Sequence, residues 1–167
     1  MRKPLELPFD PIDRAARIWE NRFGASSAMA AVTSIMRAQQ ILIAELDGIL
    51  RPYGLTFARY EALVLLSFSR AGALPLSVMG ERLMVHPTSV TNTIDRLEGQ
   101  GMVVRRPNPE DGRGRLAEIT EHGRDAVRVA TRDLMAAEFG FAGYSEAELT
   151  ELFALLRSLR ISAGDFS

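Results

Sequence analysis

The chain has no cysteine among its 167 residues. That excludes disulfides, thiolate zinc sites and cysteine-based redox sensing. Only two histidines are present, His86 and His122, far apart and with no ligand cluster around either; metal sensing through them is disfavoured, and His86 is better placed to cap the helix that follows it. Lys3 is the single lysine among 20 basic residues, a bias that runs through the whole chain and therefore reads as composition rather than as a site. No stretch reaches the ~18 uninterrupted apolar residues of a membrane span. The N-terminus lacks the apolar core of a signal peptide, so a soluble cytoplasmic protein without membrane contact is expected. No nucleophile–base pair, phosphate loop, metal cluster or cofactor motif is found, so neither an enzyme nor a bound cofactor is expected. Charge of either sign is also not in excess: 20 basic against 21 acidic residues give a net charge of −1. A partner that is a polyanion must be recognised by local charge.

Against these absences stands a hydrophobic content of 47 %, ample for a packed core. Residues 1–12 hold three prolines and read as an extended arm, with a short helix expected over 13–23, where Ala16, Trp19 and Phe23 are spaced helically. Ser26 or Ser27 is positioned to cap a long helix carrying Val32, Ile35, Met36, Leu42, Ile43, Leu46 and Leu50 at i, i+3, i+4, i+7 spacing. Thr56 is expected to cap the next helix, with Phe57, Tyr60, Leu63, Val64 and Phe68 inward. A very short strand is expected at 74–76. Ser77 is then expected to cap a short helix burying Val78, Met79 and Leu83. Pro87 suits the first turn of the helix that follows; Val90, Ile94 and Leu97 form its apolar stripe, and Thr88, Thr91, Asn92, Asp95 and Arg96 fall on the other side. Strands are expected at 102–106 and 115–119 with turn chemistry between them. Thr120 opens a long helix reaching about residue 139, and Ser145 to Glu148 is a capping box. The final helix carries Leu149, Leu152, Phe153, Leu156 and Leu159.

A short helix, a turn, a second helix with one apolar stripe and an arginine-bearing hairpin are the parts of a winged helix-turn-helix. The expected fold is mainly α with a small β-hairpin: residues 1–25 an N-terminal arm with the added short helix, 26–55 a dimerisation helix, 56–120 the winged DNA-binding lobe, and 121–167 a C-terminal linker and further dimerisation helices. The flanking helices carry more apolar surface than the winged unit covers, which a second copy would bury.

Two segments, Pro87-Thr-Ser-Val-Thr-Asn-Thr-Ile-Asp-Arg-Leu-Glu98 with Gly101-Met-Val-Val-Arg-Arg106, and Asp111-Gly-Arg-Gly-Arg-Leu-Ala-Glu-Ile-Thr-Glu-His-Gly123, occur in order and with matching spacing. On them the chain resembles the multiple antibiotic resistance regulator (MarR) family of bacterial transcription factors over about residues 28–162. The resemblance implies an obligate homodimer that binds palindromic double-stranded operator DNA and, in many members, leaves it on binding a small phenolic or other aromatic acid. One departure is Asn92, where many members carry arginine; asparagine suits adenine as arginine suits guanine, so operator sequence does not transfer.

The DNA-binding candidates are Ser77, Pro87, Thr88, Ser89, Thr91, Asn92, Arg96, Arg113 and Arg115. The blander alternative for the helix residues is a solvated face; for Arg96, an ion pair to a neighbouring element; for Arg113 and Arg115, a charged loop without a partner. Trp19, Arg37, Arg59 and Tyr60 are the candidates for an aromatic-acid pocket, with packing the alternative for Trp19 and solvent exposure for the arginines. A winged-helix module that binds proteins and not DNA is the competing function, kept open by the near-neutral charge.

Overall fold

The computed structural model describes residues 5–109 and 111–166, and the side chains of residues 111–113 lie outside that description. Among the described residues seven α-helices and three strands follow one another. They are α1 (Pro11–Phe23), α2 (Ser27–Leu50), α3 (Phe57–Phe68), β1 (Ala73–Pro75), α4 (Leu76–Leu83), α5 (Pro87–Gly99), β2 (Val103–Asn108), β3 (Asp111–Ile119), α6 (Glu121–Ala136) and α7 (Glu146–Ala163). Single 3-10 turns at Arg51–Tyr53 and Glu138–Gly140 follow α2 and α6.

Most helix starts are set by side chains bonding their own backbone, which satisfies amide donors that the first turn leaves free. Thr56 accepts from the Arg59 amide, Thr120 from Gly123, and Ser145 and Glu148 form the reciprocal box. Three expectations are corrected. Helix α1 begins at Pro11 and not at 13, because Asp10 caps it and the proline ring is pre-set for a first turn. Ser26 makes no capping bond; its hydroxyl donates instead to Glu20 Oε1 at 2.6 Å, tying α1 to the start of α2. Ser77 caps nothing either: β1 pairs with β3 up to Pro75, the chain enters α4 directly, and Ser77 is the second residue of that helix.

The sheet runs β1-β3-β2, antiparallel throughout. Its hairpin is longer than the sequence suggested: β2 continues to Asn108 through a register shift after Pro107, and Arg115 faces Pro107 across the ladder. Under the sheet lies one core, in which Leu50, Leu63, Leu66, Met79, Ile94, Leu97, Val103 and Leu134 are fully buried. Phe68 is not in it; at 81 % exposure it falls outside the face of α3 defined by Tyr60, Ala62, Leu63 and Leu66. Helix α6 stops earlier than expected, at Ala136, because Phe139 turns to positive φ and packs on the core. Gly123 explains why a glycine follows Thr120 by three residues. A Cβ there would stand 2.3 Å from the Met102 carbonyl oxygen, so only hydrogen lets α6 approach the end of α5's connection this closely.

Two tyrosines fasten α6 to the rest. Tyr53 donates to the Asp133 carboxylate, and the Tyr60 hydroxyl shares a 2.8 Å bond with Thr131. The outer helices are a different matter. Neither α1 nor α7 has a buried residue. Along α2, only Leu46 and Leu50 are buried, while Val32, Ile35, Met36 and Ile43 stay exposed, as do Leu152, Phe153, Leu155 and Leu159 on α7. Among the described residues no helix is long and apolar enough to cross a membrane.

Candidate nucleic-acid interface

Helix α5 buries Val90, Ile94 and Leu97 and turns the rest of its surface outward. Its N-terminus is held by His86, whose Nδ1 accepts from the Thr88 amide at 3.2 Å, with Thr88 Oγ1 3.1 Å away. Pro87 occupies the first turn, as expected, and Thr91 Oγ1 donates back to the Pro87 carbonyl at 3.1 Å. Thr88, Ser89, Thr91, Asn92, Asp95 and Arg96 are all exposed. Among the described residues the side chains of Ser89, Asn92 and Arg96 have no hydrogen-bond or ion-pair partner. Three polar groups on an ordered helix are therefore free to bond an external partner without breaking an internal contact.

Two carboxylates, Asp95 and Glu98, share that helix, and the hairpin answers them. Arg105 of β2 reaches Asp95 Oδ1 at 2.6 Å and Glu98 Oε2 at 2.5 Å, and its amide donates to Glu98 Oε1 at 3.1 Å. Burial disfavours the guanidinium charge, but bonds to both acids outweigh it and hold Arg105 above the ordinary arginine range. The result locks hairpin to helix and cancels acidic charge on the outward face. The sequence places Arg105 among the hairpin arginines but does not reveal its pairing with α5; the signal was there in two acids one turn apart on that helix. Arg106 pairs with Glu118 at 2.8 Å, Arg115 is exposed, and the Arg113 side chain lies outside the described residues.

The remaining candidates separate. Ser77 is exposed on α4 with no side-chain bond. Trp19 lies against Phe23 on α1, ring centroids 4.9 Å apart, and Arg37 donates to Gln40 on α2 at 3.2 Å. Tyr60 is buried toward α6. Its neighbour Arg59 points the opposite way, into an open cleft lined by Thr56, Arg59, Asn92, Thr93, Asp95 and Arg96. Among the described residues the four do not converge on one pocket of the chain.

The MarR family model matches residues 55–114. Among solved structures, Sco5413, a MarR family transcriptional regulator from Streptomyces coelicolor, is 63 % identical at a TM-score of 0.78; the match covers 84 % of this chain and 97 % of that one. Sco3205, from the same organism and solved in complex with DNA, is 23 % identical over 78 % of this chain and 84 % of its own, TM-score 0.71, a likeness of fold. The uncharacterised HTH-type transcriptional regulator YhbI of Bacillus subtilis (strain 168) is 26 % identical over 140 residues, 84 % of this chain and 82 % of YhbI.

Proposed function

Because this chain belongs to the MarR family of winged helix-turn-helix transcriptional regulators, a family of DNA-binding proteins and not of enzymes, we propose that it acts in the cytoplasm as a homodimeric repressor. It binds a palindromic operator and is released by a small aromatic acid. The observation that carries the DNA reading is the outward face of α5, where Ser89, Asn92 and Arg96 are ordered yet unpartnered. Asn92 reads a base, with adenine its natural partner. Thr88, Ser89, Thr91, Arg96 and the first turn at Pro87 meet bases or backbone, Ser77 meets backbone from α4, and Arg113 and Arg115 carry the hairpin contact.

The dimer rests on the apolar faces left open on α2 and α7. A two-fold pair would bury them against their own copies and match the symmetry of an operator whose half-sites lie about one helical turn apart. An effector that favours another spacing of the two α5 helices lowers DNA affinity by its preference for that state. Of the four candidates to meet it, Arg59 lines the cleft beside α5, which leaves Trp19, Arg37 and Tyr60, and support for an aromatic acid is the family resemblance. The test is a shift assay on the DNA upstream of the chain's own gene against a scrambled duplex, repeated over a salt series and then with hydroxybenzoates. Specific binding should weaken steeply with salt and a hydroxybenzoate should weaken it further. No retention of either duplex at low salt would favour the protein-interaction module instead.

A further inference from the structure

We infer that the cleft between α3 and α5 seats a phosphate of the DNA backbone and that Arg59 supplies the cation holding it, an inference that rests on the DNA-binding reading. Two cations, Arg59 and Arg96, and one carboxylate, Asp95, line this cleft. The carboxylate is already neutralised by Arg105 at 2.6 Å. Among the described residues neither cleft arginine pairs with a carboxylate. The cleft is thus left with uncancelled positive charge beside the outward face of α5.

Arg59 is also held in place. Its Nη1 donates to the Gly54 carbonyl at 3.0 Å, and Gln100 Nε2, just past the end of α5, donates to the same oxygen at 2.8 Å. Gly54 sits at φ +69°, and a Cβ there would come within 2.9 Å of Gln100 Nε2, so the turn that presents this carbonyl needs glycine. One of five guanidinium donors is used and four remain. A side chain already tethered loses less rotamer freedom when it binds.

The placement suits a duplex. A helix lying in the major groove has a phosphate strand on either side. On one flank of α5 stands the hairpin, with Arg105 bound to Asp95 and Glu98 and Arg115 exposed beyond it. On the other stands α3, where Arg59 and Thr56 face Asn92, Thr93 and Arg96. The hairpin arginines answer one strand; Arg59 is placed to answer the other.

The experiment measures fluorescence anisotropy of the labelled upstream duplex and of a scrambled duplex, over a salt series, for the wild type, Arg59→Gln and Arg59→Lys. The glutamine variant should bind both duplexes more weakly by the same factor, on the order of tenfold for each charge-assisted contact and so about a hundredfold for the two of a dimer, and the steepness of log affinity against log salt should fall by about 1.8, roughly 0.9 for each protomer. The lysine variant should keep the wild-type steepness. A lysine variant whose steepness falls like glutamine's would show Arg59 acting through its tether and would overturn the inference, as would an unchanged glutamine variant. A calorimetric titration of the free protein with inorganic phosphate, at matched ionic strength, separates the sources. Phosphate binding lost in Arg59→Gln while duplex binding is untouched would make this a free-anion site and overturn the backbone assignment. A wild type that binds neither duplex would remove the DNA reading itself, a result distinct from a wild type that binds and an Arg59 variant that binds equally well.

Discussion

Replacing Arg105 by alanine should cost the protein twice, once in folding and once in DNA affinity, and the two costs are separable. In folding, Arg105 makes two ion pairs from a side chain only 20 % exposed to acids that are 54 % and 41 % exposed. Pairs this open to solvent contribute about 0.2–1 kcal/mol each, so together about 0.4–2 kcal/mol is at stake. For a chain of this size that lowers the melting temperature by roughly 1–8 °C. In binding, the loss exposes Asp95 and Glu98 as uncompensated negative charge on the helix that faces the duplex, so affinity should drop by about tenfold or more at low ionic strength. The deficit should shrink as salt screens the repulsion over a Debye length of about 10 Å at 0.1 M. Calorimetry and anisotropy on the same preparation read the two effects. Adding Asp95→Asn and Glu98→Gln to Arg105→Ala should return most of the DNA affinity while leaving the melting temperature low. A variant that melts lower yet binds DNA normally would limit Arg105 to stability. An affinity deficit that stays constant with salt, or persists without the two acids, would refute the charge-cancelling argument.

Three further outcomes are expected. Glutamate at Leu152 and Leu156 together should convert a dimer into monomers in sedimentation, since each buried leucine is worth about 1.5–3 kcal/mol and a two-fold interface loses each one twice; an unchanged sedimentation coefficient would place the interface elsewhere. Asn92→Ala should flatten discrimination between operator sequences by about 1–3 kcal/mol at one position in each half-site, while competition curves identical to wild type would mean that Asn92 reads no base. The Tyr53 hydroxyl, then Arg132, holds the Asp133 carboxyl below the usual carboxylate range. A depressed carboxyl stabilises the fold above its unfolded pKa and loses that contribution as pH falls through the folded value. Tyr53→Phe should therefore destabilise at neutral pH, with the gap from wild type closing in acid, and a gap independent of pH would assign the tyrosine a packing role alone.

What the sequence determined by itself is what neighbouring residues decide among themselves. Pro87, the Val90–Ile94–Leu97 stripe, the caps at Thr56 and Thr120 and the box at Ser145–Glu148 all lie where the chain places them, because a helix start or a buried stripe is set by residues within one or two turns. The unpartnered faces of α2 and α7 were legible for the same reason. What tertiary structure decided spans longer separations. Whether Arg59 turns toward α5 or toward a pocket depends on the Gly54 carbonyl and on Gln100, which lies 46 positions from Gly54. That Asp47 accepts from the Phe57 amide at 2.7 Å, and Tyr53 bonds to Asp133 80 positions on, follows from how α2, α3 and α6 dock. Ser26 and Ser77 show the same limit in reverse: both have capping chemistry, but one hydroxyl is drawn to Glu20 across the junction of α1 and α2 and the other is overtaken by the β1 pairing. Periodicity reports which face of an element is apolar. It carries no information on which distant group a long polar side chain will meet once those faces have packed, and in this protein such meetings govern the charge on the outward face of α5.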